Sequence, residues 1–444
     1  MSAGKALTTA TETPSGRAYV VHPAIKAGPG GRPTRSPAAR LQEAIGLAAA
    51  IDLEVVDAEI VRIDRPNPAL YVGRGVVDRL AERAKQDDVD LVIFDCMLSP
   101  AQQRNLERSL NLKVIDRTGL ILEIFGARAR TKEGRLQVEL AALTYQRSRL
   151  VRSWTHLERQ RAGGAFMGGP GERQLELDRR MLDERIQRLK RELEQVKRTR
   201  GLHRSARERV PYPIVALVGY TNAGKSTLFN RLTQAKVMVA DMLFATLDPT
   251  MRQLVLPSGD TVILSDTVGF ITDLPLDLIA AFRATLEEVI SADVILHVRD
   301  VSDSEHEAQK QSVDKVLEDL GVAADKGGRP IIEVFNKIDL LTPEDRERLQ
   351  QQVARQDLCV AVSAVTGEGT EELLDLVAEC LRRHHEVLEL ELDVADGETL
   401  AWLYRHGQVL ERQDEEGLMK LRVSLSPLQR ARFEQRQAAQ PEAP

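Results

Sequence analysis

Hydrophobic and polar positions change period repeatedly along the chain, and each change predicts an element. Arg17–Val21 reads as a first strand. After Pro37 the period alternates: a helix over 38–50, a strand over 53–63, a helix over 76–85, a strand over 91–94, a helix over 99–110 and a strand at 114–115. Such interleaving predicts a small α/β domain with a mainly parallel sheet across 17–125. Leu136, Leu140, Leu143, Leu150, Trp154 and Leu157 then share a heptad seam broken by Arg147, and Leu182, Ile186, Leu189, Leu193 and Val196 repeat at 4, 3, 4 and 3. Two seams of this kind predict an antiparallel helical hairpin over 126–210. Its tip, Gly163–Gly171, holds five glycines, with Phe166 and Met167 between them. Buried-strand patterns at 214–218, 261–265, 293–298, 331–335 and 360–364 predict a further α/β domain over 211–384 with a mixed sheet. A small α/β appendage follows over 385–434, and residues 1–16 and 435–444 read as disordered tails.

The candidate chemistry begins where the strand at 214–218 ends. Gly219, Tyr220, Thr221, Asn222, Ala223, Gly224, Lys225, Ser226 and Thr227 read G-x-x-x-x-G-K-S-T, followed by a helical pattern through Leu228, Phe229 and Leu232. Strand, glycine loop and helix form a phosphate-binding loop: backbone N–H groups face the β-phosphate, Lys225 the β/γ oxygens, and the Ser226 hydroxyl a Mg²⁺ ion. Asn336-Lys337-Ile338-Asp339 ends a later strand pattern. Asp339 can accept from guanine N1–H and N2–H₂ together, which adenine cannot supply. Asn336 would tie this loop to the phosphate loop, and the Lys337 stem would cover the base. Asp266-Thr267-Val268-Gly269 follows the strand at 261–265, with Asp266 placed to hold Mg²⁺ through water and Gly269 N–H the γ-phosphate. Phe244-Ala245-Thr246-Leu247-Asp248 lies between, with Thr246 chosen over Thr250 as the ligand of Mg²⁺ and γ-phosphate. Ser363, Ala364 and Val365 can reach guanine O6 through the backbone. The candidate catalytic residues are Lys225, Thr246 and Gly269, and the candidate metal ligands are Ser226, Thr246 and Asp266. The activity predicted is GTP hydrolysis.

Phe270 stands where many GTPases place a water-orienting Gln, so intrinsic hydrolysis should be slow and a partner should complete the site. Asn222 suits either shaping of the loop or a monovalent cation, K⁺, beside the β/γ-phosphates.

Charge adds a partner. Residues 141–210 hold 18 Lys/Arg against 9 Asp/Glu, although the whole chain carries −6. A local basic surplus of that size favours a polyanion, with RNA the foremost. Three scattered cysteines, Cys96, Cys359 and Cys380, imply no disulfide framework, and Cys96 and Cys359 read as buried thiols. No apolar run reaches the ~18 residues of a membrane helix, so a cytoplasmic monomer is expected.

Together these residues resemble the HflX family of ribosome-associated GTPases, over roughly 41–406. The specific part lies outside the nucleotide elements, in Leu98–Glu107, Val114–Thr118, Thr131–Leu140 and Gly169–Arg180. The resemblance implies binding to the large ribosomal subunit and its rRNA, with the hairpin tip reaching toward the peptidyl-transferase region. It further implies ribosome-stimulated GTP hydrolysis and the splitting or rescue of stalled ribosomes. The chain departs from the family at Gly168, where Arg is usual, and at Met167 and Arg173, where Thr is usual. The alternative is a regulatory GTP switch that binds a protein partner through the hairpin; intact Lys225, Ser226, Asp266 and Asp339 argue against an RNA-binding protein with a vestigial site.

Overall fold

The computed structural model describes residues 16–26, 35–160, 170–207, 212–234, 243–244, 250–272, 286, 288–322, 329–382, 386–394, 396–415, 417–425, 429–430, 433–434 and 436–437. The first unit alternates β1 (Arg17–Ile25), α1 (Pro37–Ala49), β2 (Glu54–Ile63), α2 (Arg74–Gln86), β3 (Leu91–Phe94), α3 (Pro100–Leu110), β4 (Lys113–Asp116) and α4 (Arg117–Arg128). Its four strands are parallel in the order β2-β1-β3-β4. β3 is buried at every position, as expected of a strand covered on both faces. Local chemistry starts the helices: Ser99 and Gln102 form a reciprocal capping box ahead of Pro100, and Ser36 caps α1 ahead of Pro37. Gly73 is the N-cap of α2, so the Gly73-Arg74-Gly75 run is a helix start.

Two long helices follow, α5 (Lys132–Gln160) and α6 (Pro170–Arg207). Leu136, Leu189 and Leu193 are buried together, with Leu140, Leu143 and Val196 packed against them. Arg147, the interruption in the seam, pairs across the hairpin with Asp183 at 3.1 Å. Residues 161–169, most of the expected glycine tip, lie outside the described residues, while Pro170 and Gly171 open α6.

The hairpin is rooted in the first unit at Asp116, which is 1% exposed. Its carboxylate accepts from Arg149 Nη2 and the Tyr145 hydroxyl of α5, each at 2.5 Å, and from the backbone N–H groups of Leu98 (3.2 Å) and Gly119 (2.8 Å). Removing one partner of a buried ion pair strands the other charge. Asp116→Ala is therefore expected to lower the unfolding free energy by about 3–5 kcal/mol. Urea denaturation reads this directly, and a loss below about 1 kcal/mol would show that Asp116 does not anchor the hairpin.

The next unit holds β5 (Ile214–Gly219), α7 (Lys225–Thr233), β6 (Thr250–Val255), β7 (Thr261–Asp266), β8 (Val294–Asp300), α8 (His306–Asp319), β9 (Ile331–Asn336), α9 (Pro343–Val353), β10 (Cys359–Ala361) and α10 (Thr370–Arg382). The sheet runs β10-β9-β8-β5-β7-β6, parallel except for β6, which is antiparallel to β7. A three-stranded antiparallel sheet of β11 (Glu386–Asp393), β12 (Gln408–Glu415) and β13 (Leu418–Leu425), with α11 (Gly397–His406), forms the appendage.

One apolar core joins the first unit to the second. Leu47, Ile121 and Phe125 from the first share it with Tyr220, Phe244, Phe270 and Ile271 from the second. Phe244 meets Phe125 edge-on, with ring centroids 4.8 Å apart. Cys96 and Cys359 prove half-buried and Cys380 buried, all as free thiols. Cys96 lies just beyond β3 and Cys359 opens β10. No helix among the described residues is long and apolar enough to cross a membrane.

Candidate nucleotide site

The phosphate loop is built by positions that only glycine fits. Gly219 has φ +152°, and a Cβ there would meet the Val298 carbonyl at 2.2 Å. Gly224 has φ +90° and precedes α7, with Asn336 Nδ2 at 2.2 Å from where a Cβ would lie. Asn336 uses that closeness: its amide donates to Ala223 O at 2.8 Å and accepts from Ala364 N–H at 3.0 Å. One side chain thus joins the phosphate loop, the end of β9 and the turn after β10. Asn222, φ +60°, is exposed at the loop's crest.

Two candidate metal ligands meet beneath the loop, where Ser226 Oγ donates to Asp266 Oδ2 at 2.7 Å. Asp266 is fully buried at the end of β7, and its neighbour Thr267 is fixed by a 2.6 Å hydrogen bond to Leu217 O. Hydroxyl and carboxylate oxygens suit a hard Mg²⁺ ion. The third candidate, Thr246, lies outside the described residues with Ala245, Leu247 and Asp248. Val268 is buried, and Phe244 turns into the core shared with the first unit rather than toward the loop.

On the base side, Lys337 stands at φ +67° and donates to Asp300 Oδ2 at 2.6 Å. Asp339 is exposed and accepts from Ser363 Oγ at 2.6 Å. Ile338 is buried beneath them and Val365 is exposed beside them. The Ser363–Asp339 hydrogen bond thus ties the turn after β10 to the Asn336–Asp339 run.

The Lys225 ammonium donates to Gly219 O at 3.1 Å and Tyr220 O at 2.8 Å. Burial pulls its pKa down from 10.5 to about 8, against the opposing pull of Asp266. Phosphate oxygens would restore the charged form. Nucleotide binding above about pH 8 is therefore expected to take up a proton at Lys225, and binding well below that pH to take up none there. Calorimetry in buffers of different ionisation enthalpy checks this, and equal proton uptake at pH 6.5 and 9 would contradict it.

Comparison with known proteins agrees along the chain. Family models match in order: a GTP-binding GTPase N-terminal region at 38–126, a GTP-binding GTPase middle region at 128–207, a 50S ribosome-binding GTPase at 214–337 and an HflX C-terminal domain at 348–444. The GTPase HflX of Magnetococcus marinus is 52% identical over 387 residues, covering 87% of this chain and 88% of that protein. The chain belongs to the HflX family of GTPases. The GTPase HflX of Escherichia coli is 44% identical, covering 87% and 89% of the two chains. A solved GTP-binding protein from Sulfolobus solfataricus in complex with GDP aligns with a TM-score of 0.43 and 24% identity, over 82% of this chain and 98% of that one.

For this HflX GTPase, the sequence reading missed the residues that join its first unit to the loop. Glu43, Arg35 and Thr272 meet the Tyr220 hydroxyl, and Arg117 links Glu43 and Thr272 to Asp95. Only the Val114–Thr118 run of the family resemblance touched them, and nothing in their spacing foretold a meeting.

Proposed function

We propose that this HflX GTPase binds the large ribosomal subunit through its basic hairpin and couples GTP binding and hydrolysis to splitting or rescue of stalled ribosomes. The observation that carries the reading is the match of residues 214–337 to a 50S ribosome-binding GTPase, joined to a hairpin rich in Lys and Arg. The buried Asp116 joint supports it, because a lever must be fixed at its root.

In this reading Lys225 and Gly269 N–H hold the γ-phosphate. Ser226, Thr246 and Asp266 would hold Mg²⁺, which would supply positive charge to offset the charge that develops on the phosphates. Asp339 selects guanine, Lys337 covers it, and Ser363, Ala364 and Val365 face its O6 edge. Phe270 cannot orient water, so the ribosome supplies or orders what the isolated chain lacks. Asn222 shapes the loop crest, and a dependence of the rate on K⁺ over Na⁺ would add a cation contact to that role.

Cosedimentation with large subunits in a non-hydrolysable GTP analogue, across rising salt, tests the contact. Several phosphate contacts predict log affinity falling linearly with log salt, at a slope of about −0.7 to −0.9 per contact. A flat salt response would point to a protein surface instead.

A further inference from the structure

A buried polar chain runs from the first unit into the nucleotide site. Arg117, 3% exposed, donates from Nη1 to Asp95 Oδ1 at 2.5 Å, and from Nη2 to Glu43 and to the Thr272 carbonyl, the latter at 2.9 Å. Glu43, 8% exposed, also accepts from Arg35 and from the Tyr220 hydroxyl. That hydroxyl in turn accepts from Thr272 N–H at 2.8 Å. Burial opposes ionisation of Asp95, but Arg117, the His22 hydrogen bond and Arg40 together outweigh it and hold the carboxyl below its usual range.

Tyr220 is the second residue of the phosphate loop, and Thr272 lies three residues beyond Gly269. Glu43 and Arg117 therefore grip both strands of one contact. On its inner side, Phe270 N–H donates to Gly219 O at 3.1 Å and Thr221 N–H donates to Phe270 O at 2.8 Å. Gly269 is pressed so close that a Cβ would lie 2.8 Å from Thr221 Cγ2 and 3.1 Å from Lys225 Nζ. A γ-phosphate has to stand between the Lys225 ammonium and the Gly269 N–H. Here Gly269 is packed close to the ammonium, which is itself engaged by loop carbonyls.

We propose that Glu43 and Arg117 are positioning residues that latch the 269–272 segment against the phosphate loop, so that GTP binds at the expense of the latch and GDP does not. A ligand shifts such an equilibrium only by its differential affinity for the two arrangements, and the γ-phosphate supplies that difference. Arg117 follows Asp116, the root of the hairpin, so opening the latch bears on the residue that anchors the lever. The proposal deepens the GTP-coupled reading of the same site.

The test is the affinity of the full chain for fluorescent GMPPNP and GDP, in wild type, Glu43→Gln, Arg117→Lys and Tyr220→Phe. Weakening the latch removes a conformational tax paid by the triphosphate alone. GMPPNP is expected to tighten about fivefold or more, with GDP constant within about twofold. Arg117→Lys keeps the charge but not the planar fork, and should fall between wild type and Glu43→Gln. Tyr220→Phe removes one hydroxyl from a retained ring, and decides the matter should a charge variant fail to fold. Parallel shifts for both nucleotides, weaker GMPPNP binding, or an unchanged ratio in folded Tyr220→Phe would each overturn the proposal. Failure of the wild type to bind either nucleotide would instead count against the site reading itself.

Discussion

Lys225→Ala is expected to lower single-turnover GTP hydrolysis by about 10²–10³-fold, the scale of losing one preorganised donor to a developing oxyanion. Lys225 is buried, so the field of its ammonium acts where water is largely excluded. Its two present acceptors are carbonyls of the loop itself, which hold the amine in place before phosphate arrives. Lys225→Arg should not restore the rate, because a planar guanidinium does not fit the pocket of a compact ammonium. A Lys225→Ala protein hydrolysing GTP within tenfold of wild type, measured under saturating nucleotide, would remove Lys225 from the reacting site.

Asp339→Asn is expected to cost about 10²–10³-fold in GTP affinity, from two lost hydrogen bonds to a charged acceptor. It should also invert base preference. Xanthine carries N1–H beside a C2 carbonyl, and an Asn amide offers an acceptor and a donor in the matching order. The Asp339 carboxylate is exposed and, among the described residues, is held by Ser363, so the substitution should leave the fold unchanged. Competition titration with XTP and GTP reads both effects. Retained GTP preference in the variant would mean that guanine is not read at Asp339.

The phosphate loop was legible because its chemistry constrains sequence directly. A loop with φ +90° at Gly224 and a Cβ-free approach at Gly219 demands glycine, and a fixed charge at its end demands Lys225. The first unit's strands and helices were legible from period alone, ends drifting by a residue or two; β1 ran four residues further, to Ile25. α4 was not seen. Leu120, Ile121, Leu122, Ile124 and Phe125 are all buried, so the helix shows no polar stripe to set its period. β12 was hidden for the opposite reason: its Glu, Arg, Gln and Asp run reads as a polar turn, although an edge strand tolerates it.

Phe270 teaches more. The sequence shows only a missing Gln, whereas the structure shows a side chain 1% exposed in the core shared by two units. Its backbone pairs with Gly219 and Thr221 on the phosphate loop. The residue that cannot orient water instead fastens the segment after Gly269 to the rest of the molecule. The latch was illegible because Glu43 and Arg117 lie 74 positions apart and Arg117 and Thr272 lie 155 apart. Only the packed fold makes them neighbours.

In the function proposed above, the ribosome completes this GTPase. The most direct measurement is steady-state GTP hydrolysis with and without purified large ribosomal subunits, in K⁺ buffer, with subunit binding followed in the same samples. Stimulation of about 10²-fold or more is expected, toward the 10³–10⁵ range of partner-completed sites. An unchanged rate in samples where the subunit is bound would contradict it.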